Sequence, residues 1–127
     1  MEINKRKVLV LQGLHDEGIQ MLEERSDIEY KVLISDDENE ISEAAKDVHG
    51  ITVRTANITQ KIIENAKNLL VVSRHGVGYD SIDLKRLSQK KIPLTIAAHS
   101  NMISVAEHAM FLLLALFKNV FYYDDFT

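Results

Sequence analysis

Cysteine is absent from this 127-residue sequence, which excludes a disulfide framework, a thiolate nucleophile and any zinc site built on cysteine. That absence favours the cytoplasm. Only one proline is present, and there is no long glycine, serine or glutamine tract, so the composition is not that of a disordered chain. An excess of positive charge is also missing: 15 Lys and Arg stand against 19 Asp and Glu, for a formal net charge of -4, so nucleic acid is not an expected partner. Long apolar runs are lacking too. Val8 to Leu11 follows basic residues but is too short for a signal-peptide core, and no small-residue cleavage site follows it. The longest run, Ala109 to Phe117, is about half of the roughly 20 residues that a bilayer span requires, so no membrane span is expected. His15, His49, His75, His99 and His108 show no H-E-x-x-H or similar helical pair, and no metal site is proposed.

What is present is a chain that is 46% hydrophobic, enough for one core of ordinary size. Short apolar runs alternate with helical patterns. Val8 to Leu11 predicts a first strand, and Ile19 and Leu22 give Asp16 to Arg25 an apolar face with Met21 beside it. Tyr30 to Ile34 predicts a second strand. The acidic stretch from Asp36 leads into a helix over Ile41 to Val48, with Gly50 as its C-cap. Ile51 to Val53 is a third strand, Thr59 an N-cap for Gln60 to Ala66, and Leu69 to Val72 a fourth strand. Ser81 to Lys90 reads as a helix, and Pro93 opens a fifth strand through Ile96. A last helix is marked by Ser104-Val105-Ala106-Glu107, the S-x-x-E capping box. Alternation of this kind predicts an α/β fold: a mostly parallel five-stranded sheet, helices on both faces, and a long apolar C-terminal helix.

In such sheets ligands sit beyond the carboxyl ends of the strands, which directs attention to Gln12-Gly13, Ser35-Asp36-Asp37, Arg54 to Asn57, Arg74 to Gly78 and Ala97 to Asn101. Gly76-Val77-Gly78 permits backbone conformations closed to other residues, so its N–H groups can converge on an anion. A plain tight turn explains the same spacing equally well. The dinucleotide fingerprint is rejected, because Ser81 stands where G-x-G-x-x-G needs glycine and the turn follows the fourth strand, not the first. Arg54 is shaped to hold a carboxylate or phosphate, with Thr55 beside it; the alternative is a surface arginine paired with an acidic neighbour. Asp36-Asp37 is read as a solvated helix start, since a receiver domain would place its acidic pair after the first strand. Glu107 and His108 point about 100° apart on a helix and cannot act as one acid/base pair, so Glu107 is assigned to capping and His108 to structure.

Arg74-His75-Gly76-Val77-Gly78-Tyr79-Asp80-Ser81-Ile82-Asp83, then Ile92-Pro93, then Asn101-Met102-Ile103-Ser104-Val105-Ala106-Glu107-His108-Ala109, in that order and spacing, resembles the D-isomer-specific 2-hydroxyacid dehydrogenases, a family that includes D-3-phosphoglycerate dehydrogenase. The resemblance implies a flavodoxin-like substrate-binding domain over residues 1–100, completed in whole enzymes by a segment returning from the C-terminus. It implies that 101–127 begin an NAD-binding domain. Val77 and Gly78 map onto the backbone that receives the substrate carboxylate, Arg54 and Thr55 onto a loop that contacts the substrate, and Asn101 onto a position lining the cleft between domains. The sequence departs from the family at Ile96-Ala97-Ala98-His99, where N-T-P-G is common.

The family's NAD fingerprint and its catalytic arginine, glutamate and histidine correspond to positions beyond Thr127. The resemblance therefore implies an oxidoreductase acting on the CH–OH group of a 2-hydroxy acid with NAD, of which this stretch carries no catalytic or cofactor-binding residue. The 127 residues are expected to be truncated relative to the enzyme, to be inactive alone and not to bind NAD tightly. A small 2-hydroxy or 2-oxo acid is the expected ligand, and a homo-oligomer through the helix from Ser104 to Lys118 the expected assembly. Two further readings remain open: a non-enzymatic carboxylate-binding or interaction module, and a relic that binds nothing.

Overall fold

A computed structural model describes residues 5–124. The chain forms β1 (Arg6–Leu11), α1 (Asp16–Glu23), β2 (Ile28–Leu33), α2 (Glu38–Ala44), β3 (Gly50–Val53), α3 (Gln60–Asn65), β4 (Val71–Arg74), α4 (Leu84–Gln89), β5 (Leu94–Ile96), α5 (Met102–Phe117) and α6 (Val120–Asp124). All strand pairs are parallel, in the order β2-β1-β3-β4-β5, so the expected five-stranded α/β sheet is present. The described chain divides into two compact units on either side of the Ala97–Ala98 bond.

Side-chain alternation along the strands decides where the core lies. Leu9, Leu11, Ile51, Val53 and Val72 point to one face and pack with Ile41 of α2 and Ala45 at its C-cap, Ile62 and Ile63 of α3, and Leu87 of α4. Within the first unit, α1 lies on the opposite face and buries none of its residues fully. There Val8, Gly50, Thr52, Val71, Ser73 and Thr95 line a groove of about 480 Å³ beside Leu14 and Met21. Helices thus lie on both faces, but unequally. β2 is an edge strand, with Val32 and Ile34 exposed.

Several local expectations are corrected. Gly50 is no helix cap; it opens β3, where an added Cβ would come within 3.6 Å of Val71 and 3.7 Å of Val8. α2 starts earlier than its apolar pattern, because the Asp37 carboxylate caps it by accepting from the Asn39 and Glu40 N–H groups at 2.9 Å each. Thr59 occupies the N-cap position of α3, but its hydroxyl bonds Glu38 and not the helix backbone. β4 lies two residues later than Leu69–Val72: Leu69 is buried in the core outside the ladder, and the strand runs on to Arg74. α4 begins at Leu84, capped by Asp83, which accepts from Arg86 N at 2.9 Å.

α5 starts at Met102, so Ser104 is already its third residue and the capping box does not form. The turn is closed instead by Val105 N donating to the Asn101 carbonyl at 2.9 Å. Nor is the helix uniformly apolar. Ser104, Glu107 and His108 interrupt its first half, and the continuous apolar sequence belongs to the second. His108 is exposed and lies over Phe111, with ring centroids 6.1 Å apart. Asn119, at φ 48, ends the helix in the left-handed conformation that terminates many helices.

Candidate functional site

The strand order reverses between β1 and β3, since β2 lies on one side of β1 and β3, β4 and β5 on the other. A parallel sheet opens a crevice at such a point, beyond the carboxyl ends of the two strands. Here it is an open cleft of about 640 Å³ lined by Gln12, Ile34, Ser35, Asp36, Arg54 and Thr55. Arg54 and Thr55 leave the end of β3, and Asp36 the loop after β2. Arg54 is exposed and forms no ion pair or hydrogen bond among the described residues.

Gln12 organises this cleft. Its carboxamide oxygen accepts from Thr55 N at 2.5 Å and Ala56 N at 2.9 Å, while its nitrogen donates to Thr55 Oγ1 at 2.7 Å and Asp36 Oδ1 at 2.5 Å. One side chain therefore ties together the segments following three strands. It does so from a backbone with φ 66, followed by Gly13 at φ 77. A non-glycine residue held in that region is strained, and strain of this kind clusters at functional sites. Sequence reasoning placed Gln12 at a strand end without giving it a role. Its partners lie 24, 43 and 44 residues away, beyond any local pattern.

The glycine turn leaves the neighbouring strand. Val53 pairs with Arg74, and His75 N donates to the Val53 carbonyl at 2.8 Å, so the Arg54 loop and the turn emerge side by side. The two glycines are not equivalent. Gly76 has φ 147 and its carbonyl accepts from Ala97 N at 3.0 Å; Gly78 lies outside the positive-φ region. The N–H groups of Val77 and Gly78 have no hydrogen-bond partner among the described residues, and both residues are exposed. Val77 and Gly78 do not line the Arg54 cleft.

Arg74 lies against this turn. Its guanidinium bonds the His75 carbonyl, and a Cβ at Gly76 would stand 2.7 Å from Arg74 Nη1. Arg74 Nε is buried with no hydrogen-bond partner among the described residues. The same turn thus carries a guanidinium at Gly76 and two amide donors without a partner among the described residues, features suited to an anion. Asn101 stands at the N-cap position of α5 in the second unit, without a side-chain cap bond.

The turn between β1 and α1 does not suit a dinucleotide pyrophosphate. The turn between the first strand and first helix would receive that group, but α1 carries Asp16 and Glu17 in its first turn, and His15 already accepts from Glu17 N at 3.4 Å. Among the described residues, no group of three or more His, Cys, Asp or Glu side chains is placed to hold a metal ion, and no helix is long and apolar enough to cross a membrane.

Residues 8–123 match the family described as D-isomer specific 2-hydroxyacid dehydrogenase, catalytic domain. A D-3-phosphoglycerate dehydrogenase of Methanocaldococcus jannaschii is 36% identical over 115 residues, covering 90% of this chain and 22% of the relative. Among solved structures, the PH0520 protein from Pyrococcus horikoshii OT3 superimposes with a TM-score of 0.81 at 31% identity, over 96% of this chain and 36% of that one. An NAD-dependent formate dehydrogenase from Staphylococcus aureus, solved in complex with NAD, gives a TM-score of 0.75 at 28% identity, over 90% of this chain and 39% of its own. The chain thus spans between about a fifth and two fifths of the length of these relatives.

Proposed function

Since the chain belongs to the D-isomer specific 2-hydroxyacid dehydrogenase family, we propose that its first unit is the substrate-binding part of an oxidoreductase that transfers hydride between NAD and a small 2-hydroxy or 2-oxo acid. The observation that carries this is the turn after β4, where the amide donors of Val77 and Gly78 have no partner among the described residues and the Arg74 guanidinium lies against Gly76. Those donors receive the substrate carboxylate. Arg54 and Thr55, at the end of the adjacent strand, take the distal end of the same molecule, and Asn101 is a further substrate contact by its match to the family pattern. The substrate-binding domain is proposed to span 1–100, with 101–127 as the start of a cofactor domain.

The described residues bind and orient; none of them is assigned a proton or hydride step. His75 is exposed and directly precedes the two glycines, and it is assigned no step. The 127-residue polypeptide is proposed to bind its acid without turning it over. The exposed apolar side chains of Met110, Phe111, Leu113, Leu116 and Phe117 support a second proposal, that α5 pairs with α5 of another copy.

The test is a single preparation examined twice. Saturation-transfer NMR with pyruvate, a 2-oxo acid that carries a methyl group, is expected to show binding, while NADH oxidation with the same acid stays at background. Turnover would overturn the assignment of a binding role alone. Absence of saturation transfer would overturn the carboxylate turn.

A further inference from the structure

We propose that Asp36 is a specificity-determining residue, which makes the switch-point cleft select an acid whose distal end is an uncharged hydroxyl over one that ends in phosphate. The inference rests on the reading of Arg54 and Thr55 as distal-end contacts. Charge within the cleft decides it. The six lining residues include one cation, Arg54, and one anion, Asp36, so the wall as a whole is neutral. A phosphate dianion meets attraction from one and repulsion from the other, whereas a hydroxyl donates to the carboxylate and accepts from the guanidinium.

Asp36 is exposed, and a free surface carboxylate would swing away from an incoming anion. Gln12 prevents this. Its Nε2 donates to Asp36 Oδ1 at 2.5 Å and to Thr55 Oγ1 at 2.7 Å, so one amide nitrogen binds the carboxylate to the loop that carries Arg54. The other half of the same carboxamide is held by Thr55 N and Ala56 N, which fixes its orientation. Thr55 Oγ1, in accepting from Gln12, keeps its own proton free to donate. Asp36 thus stays in the cleft as a built-in counter-charge to any second anion.

The test uses D-glycerate and D-3-phosphoglycerate, which differ only by a phosphate on the distal hydroxyl, titrated into the 127-residue chain while the amides of Thr55 and Gly78 are followed by NMR. The native chain is expected to bind glycerate at least as tightly as phosphoglycerate. Asp36→Asn keeps an acceptor for Gln12 and removes the charge, and is expected to raise phosphoglycerate affinity about three- to fivefold at low ionic strength, with the gain fading as salt is added. Glycerate affinity should move less than about twofold, and Asp36→Glu should restore the native preference. A merely structural role for Asp36 would shift both acids alike and would not depend on salt. Tighter phosphoglycerate binding by the native chain, or a preference unmoved in Asp36→Asn, would overturn this inference while leaving the carboxylate turn standing, provided Gly78 responds. No response at Gly78 to either acid would overturn both.

Discussion

Gly76 and Gly78 look alike in sequence, but the structure assigns them different costs on substitution. Gly76 sits at φ 147, a conformation that side chains rarely adopt, and forcing an alanine into it costs about 1–3 kcal/mol. The added methyl would also stand 2.7 Å from Arg74 Nη1, so the guanidinium must move and give up its bond to the His75 carbonyl, a further ~0.5–1.5 kcal/mol. Gly76→Ala should therefore lose roughly 1.5–4.5 kcal/mol, which at ~4–8 °C per kcal/mol for a unit of this size lowers Tm by on the order of 6–36 °C. Gly78→Ala meets only Asp80 Oδ2, at 3.8 Å, and needs no unusual φ. It should be neutral or stabilising by up to about 1 kcal/mol, through reduced freedom of the unfolded chain. Urea denaturation followed by far-UV circular dichroism measures both. Arg74→Ala in the Gly76→Ala background separates the two contributions, because it relieves the close approach and leaves the backbone cost. Equal losses at the two glycines, or a loss below about 0.5 kcal/mol at Gly76, would refute the reasoning.

Two predictions concern the rest of the molecule. Pairing through α5 predicts a dimer in analytical ultracentrifugation that Leu116→Glu converts to monomer; a native chain that sediments as a monomer at high concentration would remove that proposal. Lys7 and Asp47 form an exposed pair in which the hydrogen bond to Lys7, then its charge, holds the Asp47 carboxyl below 3.8, and the same partner raises Lys7 above 10.5. The folded state gains from ionised Asp47 above the unfolded value, and the gain is lost as pH falls through the lower folded value; the Lys7 gain is present below 10.5 and lost as pH rises through its higher folded value. Titration of the Asp47 carboxyl by NMR should show the depressed midpoint, and Asp47→Asn should return Lys7 to its ordinary range; an Asp47 midpoint at the ordinary value would contradict the pairing.

Much of the fold was legible in the chain because hydrophobic runs and turn residues act locally. The five strands, the burial of Ile62, Ile63 and Ala66, and the placing of Arg54 and Thr55 at a strand end follow from spacing alone. The errors share a cause. Leu69 and Leu70 continue the apolar run into β4, yet Leu69 enters the core from a loop while Leu70 is 55% exposed, so the run begins before the ladder does. Ser104-x-x-Glu107 satisfies a capping pattern, but the preceding residues already take helical geometry from Met102, and the motif falls inside the helix. Gly50 resembles a cap in sequence and serves instead to let Val8 and Val71 pack beside β3. The Gln12 clamp depends on which strand ends become neighbours, and only the tertiary arrangement supplies that.

The central claim is that the Val77–Gly78 turn receives a carboxylate. The most direct measurement is a residue-resolved amide titration of the 127-residue chain with pyruvate, compared with the same titration by chloride. The account predicts saturable shifts at roughly millimolar ligand, largest at the Val77 and Gly78 N–H groups and absent with chloride. Unmoved Val77 and Gly78 amides at saturating acid, or shifts confined to other parts of the fold, would contradict it.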